Sequence, residues 1–281
     1  MIIPSKKISG IILIGLFIMG LFLLTNRTYA QETSMQSTLR EIAGKISSLF
    51  TFNIDRELTE KEKMEQELQT RKDAVSKIFD LTLMEQKDLL NRLSALKDLS
   101  DAQKKMRSTL TNLLQENENI FTEINSRLEG VESINDAKKL ANDFKNWRTL
   151  VYNPKAEKVV AFTFVFHGEN ILATAKDRLE RIAGDLSDYQ NSLKETDEKS
   201  NELLNKAESN IREAEELSGQ AQNLIMIALN NSFSQIKNTK SVNREIARNI
   251  SDSKIFTEKS MQYVRNTYNE FLELGRIINN E

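Results

Sequence analysis

His167 is the only histidine of the chain, and the imidazole side chain is the group best suited to general acid–base chemistry near neutral pH. A general base also needs a nucleophile or an orienting partner within hydrogen-bond reach. The adjacent residues Phe166, Gly168 and Glu169 do not mark such a partner. A single histidine also excludes paired-histidine metal motifs. We therefore predict a structural role for His167.

The other residue types that carry chemistry are absent or dispersed. The chain has no cysteine, which excludes disulfides, thiolate metal ligands and thiol nucleophiles. Carboxylates lie among Lys and Arg at helical spacing, as around Glu213, Glu215 and Glu216, which is typical of a solvated helix face. The glycines after residue 30 are isolated, so no glycine-rich phosphate loop is present. We expect no enzymatic activity and no catalytic, cofactor-binding or metal-binding residue.

The charge balance bears on the class of partner. The formal net charge is −2, and it becomes −5 when Lys6, Lys7 and Arg27 of the N-terminal segment are set aside. A nucleic-acid binder needs a basic face that displaces phosphate counterions. We therefore expect a protein partner, or self-association through helices, and no nucleic acid.

Residues 1–30 have the layout of an export segment. Lys6 and Lys7 precede an uncharged, mostly apolar run over residues 8–24, and Thr28 and Ala30 are small residues ahead of a cleavage point. The run is longer than the usual core of a signal peptide and short for a membrane span. A signal peptide and an N-terminal membrane anchor both stay open. In either case residues 31–281 are expected to be extracytoplasmic, with membrane contact only through residues 8–24 if they are retained.

Few residues break helices in the remainder of the chain. Only two prolines occur, Pro4 and Pro154, and apolar residues recur at spacings of three and four. We predict an all-α fold, namely an elongated antiparallel helical bundle or coiled-coil hairpins after the apolar export segment. The predicted helices cover residues 32–50, 59–130, 134–152, 155–231 and 241–279.

Local signals place the boundaries of these helices. Thr59 and Glu62 have the spacing of a capping box, and Ser133 is a candidate N-cap. Ser100 marks either a break or a kink. Pro154 disfavours helix at the preceding residue and suits the first turn of the next helix.

The strongest pattern is a heptad seam between Leu179 and Ala228, in which twelve of fifteen positions are apolar. It predicts left-handed supercoiling and burial against another helix of the chain, for which the helix starting near Ser241 is the best candidate. Polar residues at Asn117, Thr196, Ser200 and Asn210 either set the register of helix pairing or mark where a seam meets water. The seam consists of Leu179, Ile182, Leu186, Tyr189, Leu193, Thr196, Ser200, Leu203, Ala207, Asn210, Ala214, Leu217, Ala221, Leu224 and Ala228.

The most apolar run after the export segment covers residues 159–166. Its aromatic and β-branched residues would suit a membrane-inserting tongue. Eight residues, however, span ~12 Å as a helix or ~26 Å as a strand, whereas the hydrocarbon core is ~30 Å thick. A strand crossing would also leave backbone groups unpaired without a second apolar arm. We therefore predict a buried structural segment.

These features favour a non-catalytic exported or membrane-tethered coiled-coil protein that acts as a scaffold, spacer or partner-binding module. Two alternatives stay open from the sequence: a helical-bundle pore-forming toxin and an extracytoplasmic sensing module. Fold class supports such a role without specifying it.

Overall fold

The computed structural model describes residues 59–193, 198–234 and 240–279, and 94% of the interpretable part is helical with no strand. The predicted all-α helical bundle is confirmed. The predicted export segment, and the predicted helix over residues 32–50, lie outside the described residues. The helices are α1 Glu60–Ala95, α2 Asp101–Gln115, α3 Glu118–Glu129, α4 Ile134–Trp147, a π-helical turn Arg148–Tyr152, α5 Asn153–Leu193, α6 Glu198–Phe233 and α7 Lys240–Asn279.

Side-chain caps fix the starts of three helices. At α1 the backbone amide of Thr59 donates to Glu62 at 2.8 Å, and the amide of Glu62 donates to the Thr59 hydroxyl at 3.3 Å, so the predicted capping box forms. Ser100 and Gln103 form the same reciprocal pair at α2. The Ser133 hydroxyl accepts from the amide three residues later at α4. These contacts satisfy amides that have no partner within the helix.

The predicted helix over residues 59–130 is three helices in the structure. The chain leaves helical geometry between Ala95 and Asp101, where Asp98 has a φ of 54°, a left-handed conformation. A second interruption lies between Gln115 and Glu118. The signal at Ser100 is therefore a break, because it caps a new helix.

The prediction of one helix over residues 155–231 is wrong. The Lys176 ammonium lies 2.7 Å from a Glu215 carboxylate oxygen, although the two residues are 39 positions apart. A continuous helix would separate them by about 58 Å. Helices α5 and α6 are therefore antiparallel neighbours.

The predicted break at Pro154 is also absent, because helical backbone continues from α4 through the π-helical turn into α5. Proline inside an α-helix loses one amide hydrogen bond, and its ring clashes with the carbonyl four residues earlier. The wider turn immediately before Pro154 offers a way to relieve that clash within helical geometry.

The chain divides into two compact units. The first comprises the described residues up to Arg92 together with Ser108–Val160, and its buried residues include Phe79, Leu81, Leu89, Leu110, Leu114, Phe121, Ile124, Leu140 and Phe144. The second comprises Leu93–Arg107 and the described residues from Ala161 onward. One of its clusters joins α5, α6 and α7 through Leu172, Ala175, Leu179, Ala207, Ile211, Ala214 and Val264.

The second unit contains an up-down-up arrangement of three helices. Gly168 of α5 lies against Thr257 of α7, and ten residues later Arg178 lies over the ring of Tyr268, so α5 and α7 run parallel. Helix α6 is antiparallel to both, and the Ser260 hydroxyl of α7 donates to the carbonyl of Ala214 at 2.8 Å. The predicted packing of the α6 part of the seam against the helix near Ser241 is therefore confirmed.

The predicted heptad register is correct for one half of the α6 seam. The alanines at 207, 214, 221 and 228 are buried. Asn210, Leu217 and Leu224 are only half-buried, and the residues one position later, Ile211, Ser218 and Ile225, take the interior places. From Ala207 onward, α6 therefore buries the first and fifth positions of each heptad rather than the first and fourth.

Small hydroxyl residues on α7 lie inside this seam. Ser253, Thr257 and Ser260 interrupt the apolar spacing of α7, yet all three are buried. The hydroxyls of Ser253 and Thr257 donate to carbonyls of the preceding turn, at 2.8 and 2.9 Å. With their hydroxyls satisfied, these side chains let the helices approach closely.

Candidate functional site

His167 is exposed on α5, whereas its neighbour Glu169 is half-buried. Burial raises the pKa of Glu169, and a hydrogen bond with Gln222 opposes that rise. Glu215 is exposed and pairs with Lys176. Throughout the described ranges, no group of three or more His, Asp or Glu side chains is arranged to hold a metal ion. The pairing of Glu215 with Lys176 fits the predicted solvated helix face.

The apolar run over residues 159–166 is helical and lies in the interior. Val159, Ala161, Phe162, Val165 and Phe166 are each at most 1% exposed. The predicted buried segment is confirmed. Over the part of the chain that the structure describes, no helix is both long enough and apolar enough to cross a membrane.

The most unusual local geometry is the π-helical turn Arg148–Tyr152. The backbone amide of Asn153 donates to the carbonyl of Arg148, five residues earlier. Such a turn inserts one extra residue into a helix, and π-turns are frequent at functional sites. Its two end residues, Arg148 and Tyr152, are buried, whereas the residues between them are exposed.

Arg148 is held inside the first unit by polar partners on α1. It is 2% exposed, and its Nη2 atom lies 2.5 Å from Oε2 of Glu85. Its Nη1 atom donates to the hydroxyl of Thr82, which donates in turn to the carbonyl of Ile78 at 2.9 Å. A buried charge is tolerated only when it is paired and hydrogen-bonded, and Arg148 meets both conditions.

An aromatic cluster surrounds this ion pair. The Arg148 guanidinium carbon lies 5.3 Å from the ring centroid of Tyr152, which is a cation–π distance. The Tyr152 hydroxyl is buried and has no hydrogen-bond partner among the described residues. Burial and the Glu85 carboxylate raise the pKa of Tyr152 well above its usual range. The rings of Phe79, Phe121, Phe144, Trp147 and Tyr152 form a continuous series, with neighbouring centroids 5.5 to 6.5 Å apart.

A second buried polar group connects α1 to the interruption between α2 and α3. Asn117 is 1% exposed, and its amide nitrogen donates to Gln86 at 3.3 Å and to the carbonyl of Leu114 at 2.9 Å. This arrangement favours a role for Asn117 in setting helix register. Of the other polar seam residues, Ser200 is buried, Asn210 is half-buried, and Thr196 lies outside the described residues.

The outer side of the π-turn is an exposed apolar surface, which we call the π-turn surface and define as Thr149, Leu150 and Val151. Leu150 is 75% exposed and Val151 is 40% exposed. Val151 lies four residues after Trp147, and this spacing predicts that the two side chains share one apolar stripe of a regular helix. That prediction is wrong, because the extra residue of the π-turn moves Arg148 and Tyr152 into the interior. The sequence signal that could have revealed the π-turn is the position of Pro154 between two segments with helical spacing.

Comparison of the chain with protein-family models, with curated proteins and with solved structures finds no match. What the chain does must therefore be inferred from its own residues. The geometry around Arg148 supplies no open reactive group. It instead holds an apolar surface in a fixed position.

Proposed function

We propose that this chain is a non-catalytic, exported or membrane-tethered helical protein that binds a protein partner through the π-turn surface. The observation that carries the proposal is the exposure of Leu150 within a turn whose two ends, Arg148 and Tyr152, are fully enclosed. Single exposed apolar residues are common on protein surfaces and need no explanation. Two adjacent exposed apolar residues, on a backbone held by a buried ion pair, indicate a binding surface more strongly.

Rigidity is the physical reason why such a surface suits binding. Association costs conformational entropy whenever loops or side chains become ordered. The backbone of the π-turn surface is already fixed by the contacts of Arg148 with Glu85 and Thr82. A partner with a complementary apolar pocket would cover Leu150 as a central anchor, as in interfaces dominated by a few buried residues.

The long helices support the scaffold or spacer part of the proposal. Helix α7 has 40 residues and is therefore ~60 Å long. Its packing against α6 through small residues stiffens it along the shared seam. The layout of residues 1–30 supports export, and the fate of that segment decides between a released and a tethered protein.

Photo-crosslinking tests the partner surface. A photoreactive residue at Leu150 of the full chain, expressed in its native cells, should yield a discrete crosslinked species. The same group at Ile227, which is 47% exposed on α6, should not. Unlabelled wild-type chain should compete the species away, and a Leu150→Ser variant should fail to compete. Equal crosslinking at both positions, or none at Leu150, would overturn the proposal.

Mass spectrometry of the N-terminus tests export. Chain recovered outside the cytoplasm that begins at Gln31 would establish a cleaved signal, whereas a retained Met1 in the membrane fraction would establish an anchor. Full-length chain that stays in the soluble cytoplasmic fraction would contradict both fates.

A further inference from the structure

A groove lies between the parallel helices α5 and α7 of the second unit. Its volume is about 450 Å³, and it is open along one side. Residues 178, 181 and 182 of α5 face residues 268, 271 and 272 of α7, because positions three and four apart share one side of a helix. We call it the α5–α7 groove, lined by Arg178, Arg181, Ile182, Tyr268, Phe271 and Leu272.

The floor of the groove is apolar and anchored in the core. Ile182 packs against the buried cluster of Leu186, Leu203 and Leu274. Tyr268 and Phe271 pack against the larger cluster of α5, α6 and α7, and their rings meet edge to face at 5.6 Å. Leu272 extends the floor outward and is 64% exposed. The floor is therefore preformed.

The rim carries two cations. Arg178 and Arg181 are exposed and one helical turn apart, and the Arg178 guanidinium carbon lies 5.4 Å from the ring centroid of Tyr268. Neither arginine forms an ion pair within the described residues. The nearby Lys176 differs, since it is paired with Glu215 at 2.7 Å.

The size of the groove indicates the class of occupant. Small-molecule sites usually enclose ~300–1,000 Å³. A stable protein interface, in contrast, buries ~800 Å² on each partner, which six lining residues do not provide. The volume of about 450 Å³ therefore fits a small ligand better than a docked helix.

The chemistry of the lining indicates the kind of small ligand. Guanidinium groups form paired, charge-assisted hydrogen bonds with carboxylate and phosphate. An apolar floor beneath them adds affinity only for a ligand that also has a hydrocarbon part. We propose that the α5–α7 groove binds a single-chain anionic amphiphile, a monomeric alkyl phosphate or alkyl carboxylate. Its head lies between Arg178 and Arg181, and its chain lies on Ile182, Phe271 and Leu272.

Isothermal titration calorimetry of the full chain with dodecyl phosphate, kept below its micelle-forming concentration, tests this inference. Saturable binding of one molecule per chain is expected. The double variant Arg178→Gln, Arg181→Gln should weaken it by about tenfold or more, because two charge-assisted contacts are lost. Leu272→Ser should also weaken it, through the chain of the ligand and without any change of charge. Arg212→Gln, Arg244→Gln is the matched control, since both arginines are exposed elsewhere on α6 and α7.

Ligand controls separate the head group from the chain. Inorganic phosphate, dodecanol and dodecyltrimethylammonium should each bind at least about tenfold more weakly than dodecyl phosphate. Equal binding of dodecyltrimethylammonium would show non-specific apolar adsorption, and equal binding of inorganic phosphate would show a plain anion site. Binding only to vesicles that contain anionic phospholipid would show a membrane surface as the target. Each of these results, or unchanged binding by the arginine double variant, would overturn the inference.

Discussion

The ion pair between Arg148 and Glu85 is almost completely removed from water. Removing one partner of such a pair leaves an uncompensated buried charge, which costs about 3–5 kcal/mol. We therefore expect Glu85→Ala to lower the free energy of unfolding by about that amount, measured by urea denaturation. The double variant Glu85→Leu, Arg148→Met should recover much of the loss, because no charge stays buried. A single variant with an unchanged denaturation midpoint would show that the pair is not buried in solution.

The Tyr152 hydroxyl is buried, and no residue in the described part of the chain forms a hydrogen bond with it. A buried polar group without a partner costs about 1–3 kcal/mol, so Tyr152→Phe should leave stability unchanged or raise it by about 1 kcal/mol. The raised pKa of Tyr152 adds a pH dependence. Above pH ~10 the unfolded tyrosine loses its proton while the folded one keeps it, so the wild type loses stability as the pH rises.

The difference in the free energy of unfolding between wild type and Tyr152→Phe isolates the pH dependence due to Tyr152 from that due to the other tyrosines. Denaturation at pH 8 and at pH 10.5 should show the stability of the wild type falling more steeply than that of the variant. A variant that loses more than about 1 kcal/mol at pH 8 would show that the hydroxyl has a partner after all.

Individual residues were predictable where the cause is local. The reciprocal contacts of Thr59 and Glu62 depend on four consecutive residues, and the structure contains them. The prediction for Val151 is wrong, because the direction in which its side chain faces depends on the extra residue of the π-turn. That turn is held in part by Glu85 and Thr82, which are distant in the sequence. Arg148 could not be recognised as an interior residue, since nothing near it in the sequence reveals its partner.

At the scale of helices, the periodicity of apolar residues predicted which segments are helical and part of the buried side of α6. It did not predict where one helix ends and the next begins. The alanines at every seventh position of α6 were correctly predicted to be buried, and they account for about half of its buried positions from Ala207 onward. The other half was misassigned by one residue, since Leu224 and Ile225 both fit an apolar pattern and only packing distinguishes them. The reversal between α5 and α6 was missed because residues 191–197 contain neither glycine nor proline, the two strongest turn signals. Their Asn, Ser, Thr and Asp residues also fit the solvated face of a helix.

The closeness of α5 and α7 gives a sharp test. A Cβ atom at Gly168 would lie 2.8 Å from Cγ2 of Thr257, well inside van der Waals contact. We therefore expect Gly168→Ala to destabilise the protein by about 1–3 kcal/mol, although alanine favours helix by about 1 kcal/mol. Thermal unfolding followed by circular dichroism measures the change.

Gly219 is the matched control for that substitution. It also lies within a helix, and a Cβ atom there would meet nothing within 4 Å. Gly219→Ala should therefore stabilise the protein by about 0.5–1 kcal/mol. Adding Thr257→Ser to Gly168→Ala removes the clashing methyl group and should restore part of the lost stability. If the two glycine variants behaved alike, the close approach of α5 and α7 would be refuted.

At the scale of the whole molecule, the apolar run over residues 159–166 separates a partner-binding protein from a membrane-inserting one. Phe162 is 0% exposed, and its ring centroid lies 4.6 Å from that of Phe166. A pore-forming protein must release such a segment from its interior. A helix of eight residues would then cover ~12 Å of a ~30 Å hydrocarbon core.

We expect Phe162→Asp to unfold or aggregate the full chain, because the carboxylate would be buried without a partner. Leu150→Asp introduces the same carboxylate on an exposed residue, so it should keep the helical circular dichroism signal of the wild type. Wild-type chain should release no dye from liposomes, since the most apolar segment of the described residues supports the core. The pore-forming alternative would gain support if wild type released dye and a folded Phe162→Ala variant did not. The π-turn surface would then lose its place as the primary contact of the protein.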